Sequence, residues 1–230
     1  MWCEVIVRLL LAHVVGDFIF QTDGFCRVKL EKGWRGLHIY LHSFLIFILS
    51  WIALWSLSCW WLALIIGVTH LLIDSVKKSD NLASFVIDQV AHMVCIVIVG
   101  YVAISMGQDF VFNHDSGRVN LYALIFLLNG KPANILIKHL LKAYSVQPPK
   151  ESTGNDEEIR SGKLIGNLER WLILIFMLCE QYEAIGFLVA AKSIIRYREG
   201  EVSKTEYVLA GTLLSVFISV ISGFMLVKCM

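Results

Sequence analysis

The stretch GLHIYLHSFLIFILSWIALW, residues 36–55, is long and apolar enough to cross a bilayer as one helix. A hydrocarbon core about 30 Å thick requires about 20 predominantly apolar residues in helical form. His38 and His42 lie four residues apart near the start of this stretch, so they share one helix face. The stretch therefore predicts a membrane-spanning helix that carries two imidazole groups near one end.

The same combination of apolar sequence and paired polar side chains occurs three more times in the first half of the chain. Each pair has a spacing of four residues: His13 with Asp17, His70 with Asp74, and Asp88 with His92. Ionisable residues inside a bilayer are costly, and they usually face a partner or a cavity. We therefore expect the four pairs to meet in one shared polar site.

The composition also indicates an integral membrane protein. The chain has 230 residues, of which 57% are hydrophobic, and its mean hydropathy is +0.68. These values exceed those of ordinary soluble domains. The formal net charge is +1, so no basic face suggests a nucleic-acid partner. The six cysteines show no CxxC spacing and indicate inert thiols rather than disulfides or ligands.

We predict an all-α polytopic membrane protein with about six transmembrane helices and one broken interfacial or re-entrant helix. Residues 121–145 form the broken helix, interrupted at Asn129, Gly130 and Pro132, because Asn-Gly marks a turn and Pro suits a first helical turn. The predicted spans are residues 2–21, 36–55, 61–74, 83–106, 163–181 and 206–227, with a shorter helix at 183–198. The predicted organisation is a four-helix bundle at 1–106, then a loop at 107–120, the broken helix and a polar linker at 146–162, then C-terminal helices at 163–230.

Basic residues predict the orientation of these spans. The loop at 22–36 carries four basic residues, and the loop at 75–82 carries Lys77 and Lys78. Loops rich in Lys and Arg remain on the cytoplasmic side. The N-terminus is therefore predicted to lie outside, and all four His/Asp pairs are predicted to lie at one depth, near the cytoplasmic face.

Imidazole and carboxylate groups together are typical ligands of Zn²⁺, with Mn²⁺ and Fe²⁺ as alternatives. The candidate metal ligands are His13, His38, His42, His70 and His92. The candidate bases, or further ligands, are Asp17, Asp74 and Asp88, and the amides expected to orient the ligands are Gln21 and Gln89. A metal bound in this way lowers the pKa of its water to about 7, which supplies a hydroxide nucleophile. A proton or ion pathway is an alternative interpretation of the same residues.

The second half of the chain contains a separate polar set. Arg170, Lys192 and Arg196 are candidates for binding an anionic headgroup or phosphate. The alternative is a structural ion-pair network with Glu169 and Glu206. We predict that His114 and His139 are both solvated surface residues.

The motifs HVVGDFIFQTD, GLHIYLHS, HLLIDSVK and VIDQVAH resemble the bacterial membrane-protein family named domain of unknown function 3307. The later stretches GKLIGNLERWLILI and EAIGFLVAAKSIIRYRE resemble its longer members. RGLHIYLHS and THLLID are also similar to motifs of the LexA-regulated inner-membrane metal-dependent hydrolases. That second resemblance implies site roles for His42, His70 and Asp74, whereas the spacing of His38 departs from the hydrolase pattern.

These observations lead to one expected function with two alternatives. The expected function is metal-dependent hydrolysis of a lipid or other membrane-associated ester near the cytoplasmic face of the bacterial inner membrane. One alternative is a transporter or channel that uses the His/Asp cluster for protons or divalent cations. The other is a membrane scaffold with a closed structural metal site. The expected partners are membrane lipids, and the sequence is also compatible with a homo-oligomer.

Overall fold

The described part of the chain is predominantly helical and contains no β-strand. The computed structural model describes residues 2–22, 24, 34, 36–77, 79–106, 114–146, 156–197 and 202–228; within these ranges the side chains of 2–3, 114–116, 156–161, 195–197 and 202–205 lie outside the description. The helices are α1 (Trp2–Val14), α2 (Leu37–Leu54), α3 (Trp60–Val76), α4 (Leu82–Ser105), α5 (His114–Leu128), α6 (Lys131–Ala143), α7 (Asp156–Leu178), α8 (Tyr182–Tyr197) and α9 (Val202–Lys228). A π-helical segment, Val15–Phe20, continues α1. The all-α class predicted from the sequence is confirmed.

Four helices of the described chain are long and apolar enough to cross a membrane. They cover Leu37–Leu54, Leu57–Val76, Leu82–Ser105 and Glu206–Lys228. The predicted spans at 2–21 and 163–181 are also helical, but they are not among these four. Both carry charged residues within the helix, such as Arg8 and Glu169, which lower their hydropathy. Crossing of the membrane by these two helices stays a prediction.

Two boundaries of the predicted organisation are wrong. Residues 114–120 belong to α5 rather than to a loop, and residues 156–162 belong to α7 rather than to a linker. Gly117 of α5 packs against the side chain of Glu4, where an added Cβ would lie 3.6 Å from the carboxyl carbon. At Gly117, the polar start of α5 therefore lies close to α1. At the start of α7, acidic residues favour a helix N-terminus through the helix dipole.

The chain forms two compact units, residues 1–124 and 125–230. In the first unit, α1 packs against α2 and α4, and α3 packs against α2 and α4. The apolar core of this unit contains Leu9, Ile46, Leu62, Ile66 and Ile96, each exposed by 2% or less. The four helices therefore surround one core, and their polar pairs extend from it at one end.

Gly67 permits close contact between α2 and α3, one turn before His70. A Cβ at this position would lie 2.9 Å from Phe47 Cβ and 3.2 Å from the backbone oxygen of Ser43. Neither atom is the free end of a flexible side chain, so the two helices would have to separate. Close approach through small residues is a common basis of helix association in membranes.

We predict that Gly67→Ala destabilises the protein although alanine is the better helix former. Overpacking costs about 1–3 kcal/mol, which exceeds or offsets the gain of roughly 1 kcal/mol from replacing glycine in a helix. Gly186→Ala is the matched control, because Gly186 in α8 has no neighbouring atom within 4 Å of an added Cβ. Thermal unfolding in detergent should show a lower midpoint for Gly67→Ala and an unchanged or higher midpoint for Gly186→Ala. Equal shifts for both variants would contradict the packing argument.

The second unit contains the predicted helix break. α5 ends at Leu128, Asn129 and Gly130 form the turn, and Pro132 lies in the first turn of α6. The interruption predicted at these residues is therefore confirmed. His139 is 6% exposed, so its predicted surface position is wrong: it lies on the buried side of α6, which also includes Ile137 and Leu141. The side chain of His114 lies outside the described residues.

Candidate metal centre

Asp17 is the central acceptor of the polar cluster in the first unit. It lies in the π-helical segment after α1, and such segments are frequent at functional sites. Its Oδ1 atom accepts hydrogen bonds from Nε2 of His42 and Nε2 of His70, each at 3.0 Å. The Gln89 amide donates to Oδ2 at 3.2 Å, and His13 Nε2 lies 3.8 Å from the same oxygen. Asp17 therefore connects α1 with α2, α3 and α4.

Asp74 is a second carboxylate at the same end of the bundle, and three imidazoles surround it. Its Oδ2 lies 3.5 Å from His70 Nδ1 and 3.9 Å from His42 Nε2. Its Oδ1 lies 3.7 Å from His92 Nε2. Asp74 is only 2% exposed, so these imidazoles, rather than bulk water, determine its immediate surroundings.

The protonation of His92 follows from its hydrogen bond to the backbone. Nδ1 lies 2.8 Å from the carbonyl oxygen of Asp88, and a carbonyl only accepts, so Nδ1 carries a proton. In neutral His92 the lone pair is then on Nε2. This atom is buried without a hydrogen-bond partner among the described residues, and it faces the Asp74 carboxylate. A lone pair and a carboxylate oxygen repel each other unless a proton or a metal ion lies between them.

The Asp88 carboxylate has a partner that the sequence interpretation did not assign to the site. Lys77 Nζ lies 2.9 Å from Asp88 Oδ2, and Gln89 Nε2 donates to the same oxygen at 3.3 Å. In the sequence, Lys77 indicated only the orientation of the spans. Lys77 directly follows α3 and lies three residues after Asp74, and this proximity was a signal that could have placed it at the site.

Three overlapping sets of side chains have ligand atoms close enough together to share a cation. In each set the atoms lie within 4.8 Å of one another and all residues are buried: His13, Asp17 and His70; His42, His70 and Asp74; Asp74, Asp88 and His92. The imidazole rings are also packed together, with centroids 4.0 Å apart for His70 and His92 and 5.0 Å apart for His42 and His70. The structure thus brings together seven of the eight predicted ligands and bases.

His38 is the eighth, and it lies beside the cluster rather than in any of these ligand sets. It lines a cavity of about 250 Å³ together with Gln21, His42, and the apolar residues Phe20, Ile39, Leu41 and Leu45. His42 therefore borders both the cavity and the ligand cluster. Gln21, predicted to orient a ligand, lies on the cavity wall, whereas Gln89 contacts Asp17 directly.

The predicted headgroup-binding residues lie in the second unit. Arg170 is 1% exposed, and its hydrogen bonds within the described part of the chain go to neutral acceptors. These acceptors are Asn129 O at 2.6 Å, Gly130 O at 3.4 Å, Asn134 Oδ1 at 2.6 Å, Asn167 Oδ1 at 2.7 Å and Ser215 Oγ at 2.9 Å. Lys192 Nζ lies 2.5 Å from Glu169 Oε2. The side chain of Arg196 lies outside the described residues.

Arg170 thus connects the helix break to α7 and α9, a role that sequence reasoning missed. The two backbone oxygens it binds belong to Asn129 and Gly130, in the turn between α5 and α6, and the Gly130 oxygen also accepts from the Asn134 N–H of α6. Asn167 lies one turn before Arg170 on α7, so helical spacing could have indicated that contact. No spacing rule connects Arg170 with Asn129, Asn134 or Ser215, because these residues belong to other segments.

The comparison with protein families agrees with the motifs that form this cluster. The family model described as protein of unknown function DUF3307 matches residues 5–116. These residues are a DUF3307 domain. The DUF3307 domain contains every residue of the three ligand sets, from His13 to His92. No curated protein and no solved structure matches the chain.

Proposed function

We propose that the DUF3307 domain binds a divalent metal and uses it to hydrolyse an ester of a membrane lipid or another membrane-associated molecule. The observation that carries this proposal is the buried contact between His92 Nε2 and Asp74 Oδ1, two acceptors 3.7 Å apart. A metal with bonds of about 2.1 Å to each atom can bridge this distance. Zn²⁺ suits imidazole and carboxylate ligands best, and Mn²⁺ and Fe²⁺ are the alternatives.

The charge of the cluster also supports a divalent cation. Among the described side chains, Asp17, Asp74 and Asp88 bring three buried carboxylates together, and Lys77 contacts one of them, Asp88, at 2.9 Å. With neutral imidazoles, these three carboxylates and the Lys77 ammonium together carry two net negative charges. Isolated charges in a medium of low dielectric constant are strongly destabilising. One divalent cation compensates them, and a buried His/Asp shell then provides its ligands.

The reaction proposed for this site is ester hydrolysis by water. The bound metal supplies Lewis-acid activation and lowers the pKa of a water molecule. Water oxygen forms a bond to the ester carbon or phosphorus, the bond to the leaving oxygen breaks, and the proton from water ends on the released alcohol. Asp17, Asp74 and Asp88 are the candidate bases, and the cavity beside His42 offers space for the apolar part of the ester.

The location that we propose is the bacterial inner membrane, with the N-terminus outside and the site near the cytoplasmic face. The structural support is the position of the polar groups along the four helices. Asp17 follows the end of α1, His42 lies in the second turn of α2, Asp74 lies near the end of α3, and Asp88 lies in the second turn of α4. All four therefore lie at one end of the unit, next to the loops with basic residues.

Transport of protons or divalent cations is the second candidate function. It is favoured by the two-sided contact of His70, whose Nε2 faces Asp17 at 3.0 Å and whose Nδ1 faces Asp74 at 3.5 Å. A His70 imidazolium could donate to both carboxylates, which would link them in a path for protons. In that case protonation of His70, rather than a metal, would compensate charge in the cluster.

We predict that the purified protein contains Zn²⁺ or another transition metal and that Asp74→Asn loses most of it. Elemental mass spectrometry of the detergent-solubilised protein measures the content directly. Asp80→Asn is the matched control, because Asp80 is an exposed carboxylate outside the three ligand sets, and it should retain the metal. A folded wild-type protein that is free of metal and takes up none would reject the metallohydrolase proposal and favour proton transport.

A further inference from the structure

We infer that the DUF3307 domain holds two metal ions rather than one, and that this pair acts on a phosphoester. This inference rests on the proposed function and specifies its site and substrate class. The first ion would lie at the Asp74 site, defined as Asp74, Asp88 and His92. The second would lie at the Asp17 site, defined as His13, Asp17 and His70, with His42 adjacent.

The two ligand sets share no residue. The ligand atoms of the Asp17 site lie within 4.8 Å of one another, and the same holds for the Asp74 site. The two sets are adjacent because His70 and Asp74 lie one turn apart on α3, with His70 Nδ1 3.5 Å from Asp74 Oδ2. Two sets of three buried ligands can therefore be occupied at the same time, each with positions left for water or substrate.

The contacts of a neutral His70 favour a cation at the Asp17 site as well. When neutral His70 donates from Nε2 to Asp17, its Nδ1 carries a lone pair. That atom is buried without a hydrogen-bond partner among the described residues, and it faces Asp74 Oδ2. A metal on Nε2 reverses this arrangement, because the proton then resides on Nδ1 and is directed towards Asp74. An imidazole that binds a metal and donates to a carboxylate in this way is common in metalloproteins.

An ion at the Asp74 site compensates the repulsion between His92 and Asp74, but this three-residue site does not include His70. Without a second ion, the repulsion between His70 Nδ1 and Asp74 Oδ2 would persist unless His70 were protonated. The structure thus presents two separate acceptor contacts and two separate sets of ligands. Each repulsive contact with Asp74 thus has its own set of ligands, and a cation held by that set removes the repulsion. Two ions, rather than one, are therefore expected.

The charge of the centre indicates the substrate class. One divalent ion balances the two net negative charges of Asp17, Asp74, Asp88 and Lys77 taken together, and a second adds two positive charges. Such a centre attracts an anion, and a phosphoester is the membrane-associated ester that carries its charge at the reacting group. Pairs of metals about 3.5–4 Å apart stabilise both the attacking and the leaving oxygen in phosphoester hydrolysis. Water attacks phosphorus, the phosphorus–oxygen bond breaks, and the leaving alcohol takes the proton.

The test is the number of metal ions per chain, measured after equilibration with Zn²⁺ and removal of excess metal. We expect about two in the wild type and about one in both Asp17→Asn and Asp88→Asn. One ion in the wild type would overturn the binuclear site while leaving the proposed function intact, and none would overturn both. Two ions in each variant would overturn the assignment of ligands, and circular dichroism verifies that the variants are folded.

The substrate class has its own measurement. Inorganic phosphate is the probe, and its binding to the zinc-loaded protein is followed by calorimetry. We expect binding to the wild type and at least tenfold weaker binding to Asp17→Asn, whereas Asp80→Asn should resemble the wild type. Equal binding to Asp17→Asn, or no binding to a wild type with two ions, would overturn the phosphoester assignment but not the metal count.

Discussion

Replacement of Arg170 by methionine is expected to destabilise the second unit by at least about 3 kcal/mol. Methionine fills a similar apolar volume but donates no hydrogen bond. The guanidinium is the donor to Asn129 O, Asn134 Oδ1 and Ser215 Oγ; Asn129 and Ser215 are buried, and Asn134 is partly buried. Each buried polar group left without a partner costs about 1–3 kcal/mol. Denaturant or thermal unfolding in detergent micelles measures the loss.

Lys192→Met is the matched control for Arg170→Met. Lys192 is also a basic residue of the second unit, but its side chain is 21% exposed and has a carboxylate partner in Glu169. Partly exposed ion pairs contribute about 1 kcal/mol or less, so this variant should unfold close to the wild type. If Arg170 instead binds a headgroup, Arg170→Met would retain its stability and lose only lipid binding. That outcome would contradict the structural role derived from its contacts.

Replacement of His70 by alanine is expected to reduce ester hydrolysis by about 100-fold or more. His70 contacts both Asp17 and Asp74, so its loss disturbs both carboxylates at once. Removal of groups that merely orient a metal ligand typically costs 10–100-fold in affinity or activity, and His70 belongs to two of the three ligand sets. The measurement is the rate with bis(p-nitrophenyl) phosphate and p-nitrophenyl butyrate in detergent, together with metal content.

His139→Ala provides the control, because His139 is a buried histidine that belongs to none of the ligand sets. It should retain metal and hydrolysis even if its thermal midpoint falls. A wild type that hydrolyses either ester at the same rate as His70→Ala would count against catalysis at this cluster. Loss of activity in both variants, with the metal retained, would contradict a specific role for His70. It would indicate that the cavity left by removing any buried histidine is enough to impair the protein.

The pairing of ionisable residues at intervals of four could be predicted because it depends on local geometry alone. Helical periodicity places His70 and Asp74 on one face of α3 whatever surrounds that helix. Alternating directions of successive spans then bring the polar ends of α1 to α4 to one depth. For these reasons the sequence predicted seven residues that the structure places in one cluster, and the placement of His38 differed because it lies one turn nearer the start of α2.

The bonding partner of each residue in the cluster could not be predicted in the same way. Asp88 and His92 have the expected spacing, but His92 bonds to the backbone of Asp88 while the carboxylate binds Lys77. Which of two nearby acceptors an imidazole contacts depends on small differences in interatomic distance. Those differences come from the distances between helices, to which the contact of Gly67 with α2 contributes.

The sequence by itself determined the helical membrane class, the position of the helix break, and the set of residues available for a polar site. These features depend on hydrophobic length and local periodicity, both of which are properties of neighbouring residues. Only the tertiary structure decided that Arg170 supports the helix break, that His139 is buried, and that Asp17 connects all four helices of the site. Each of these depends on contacts between residues far apart in the chain, for which spacing along the sequence holds no information.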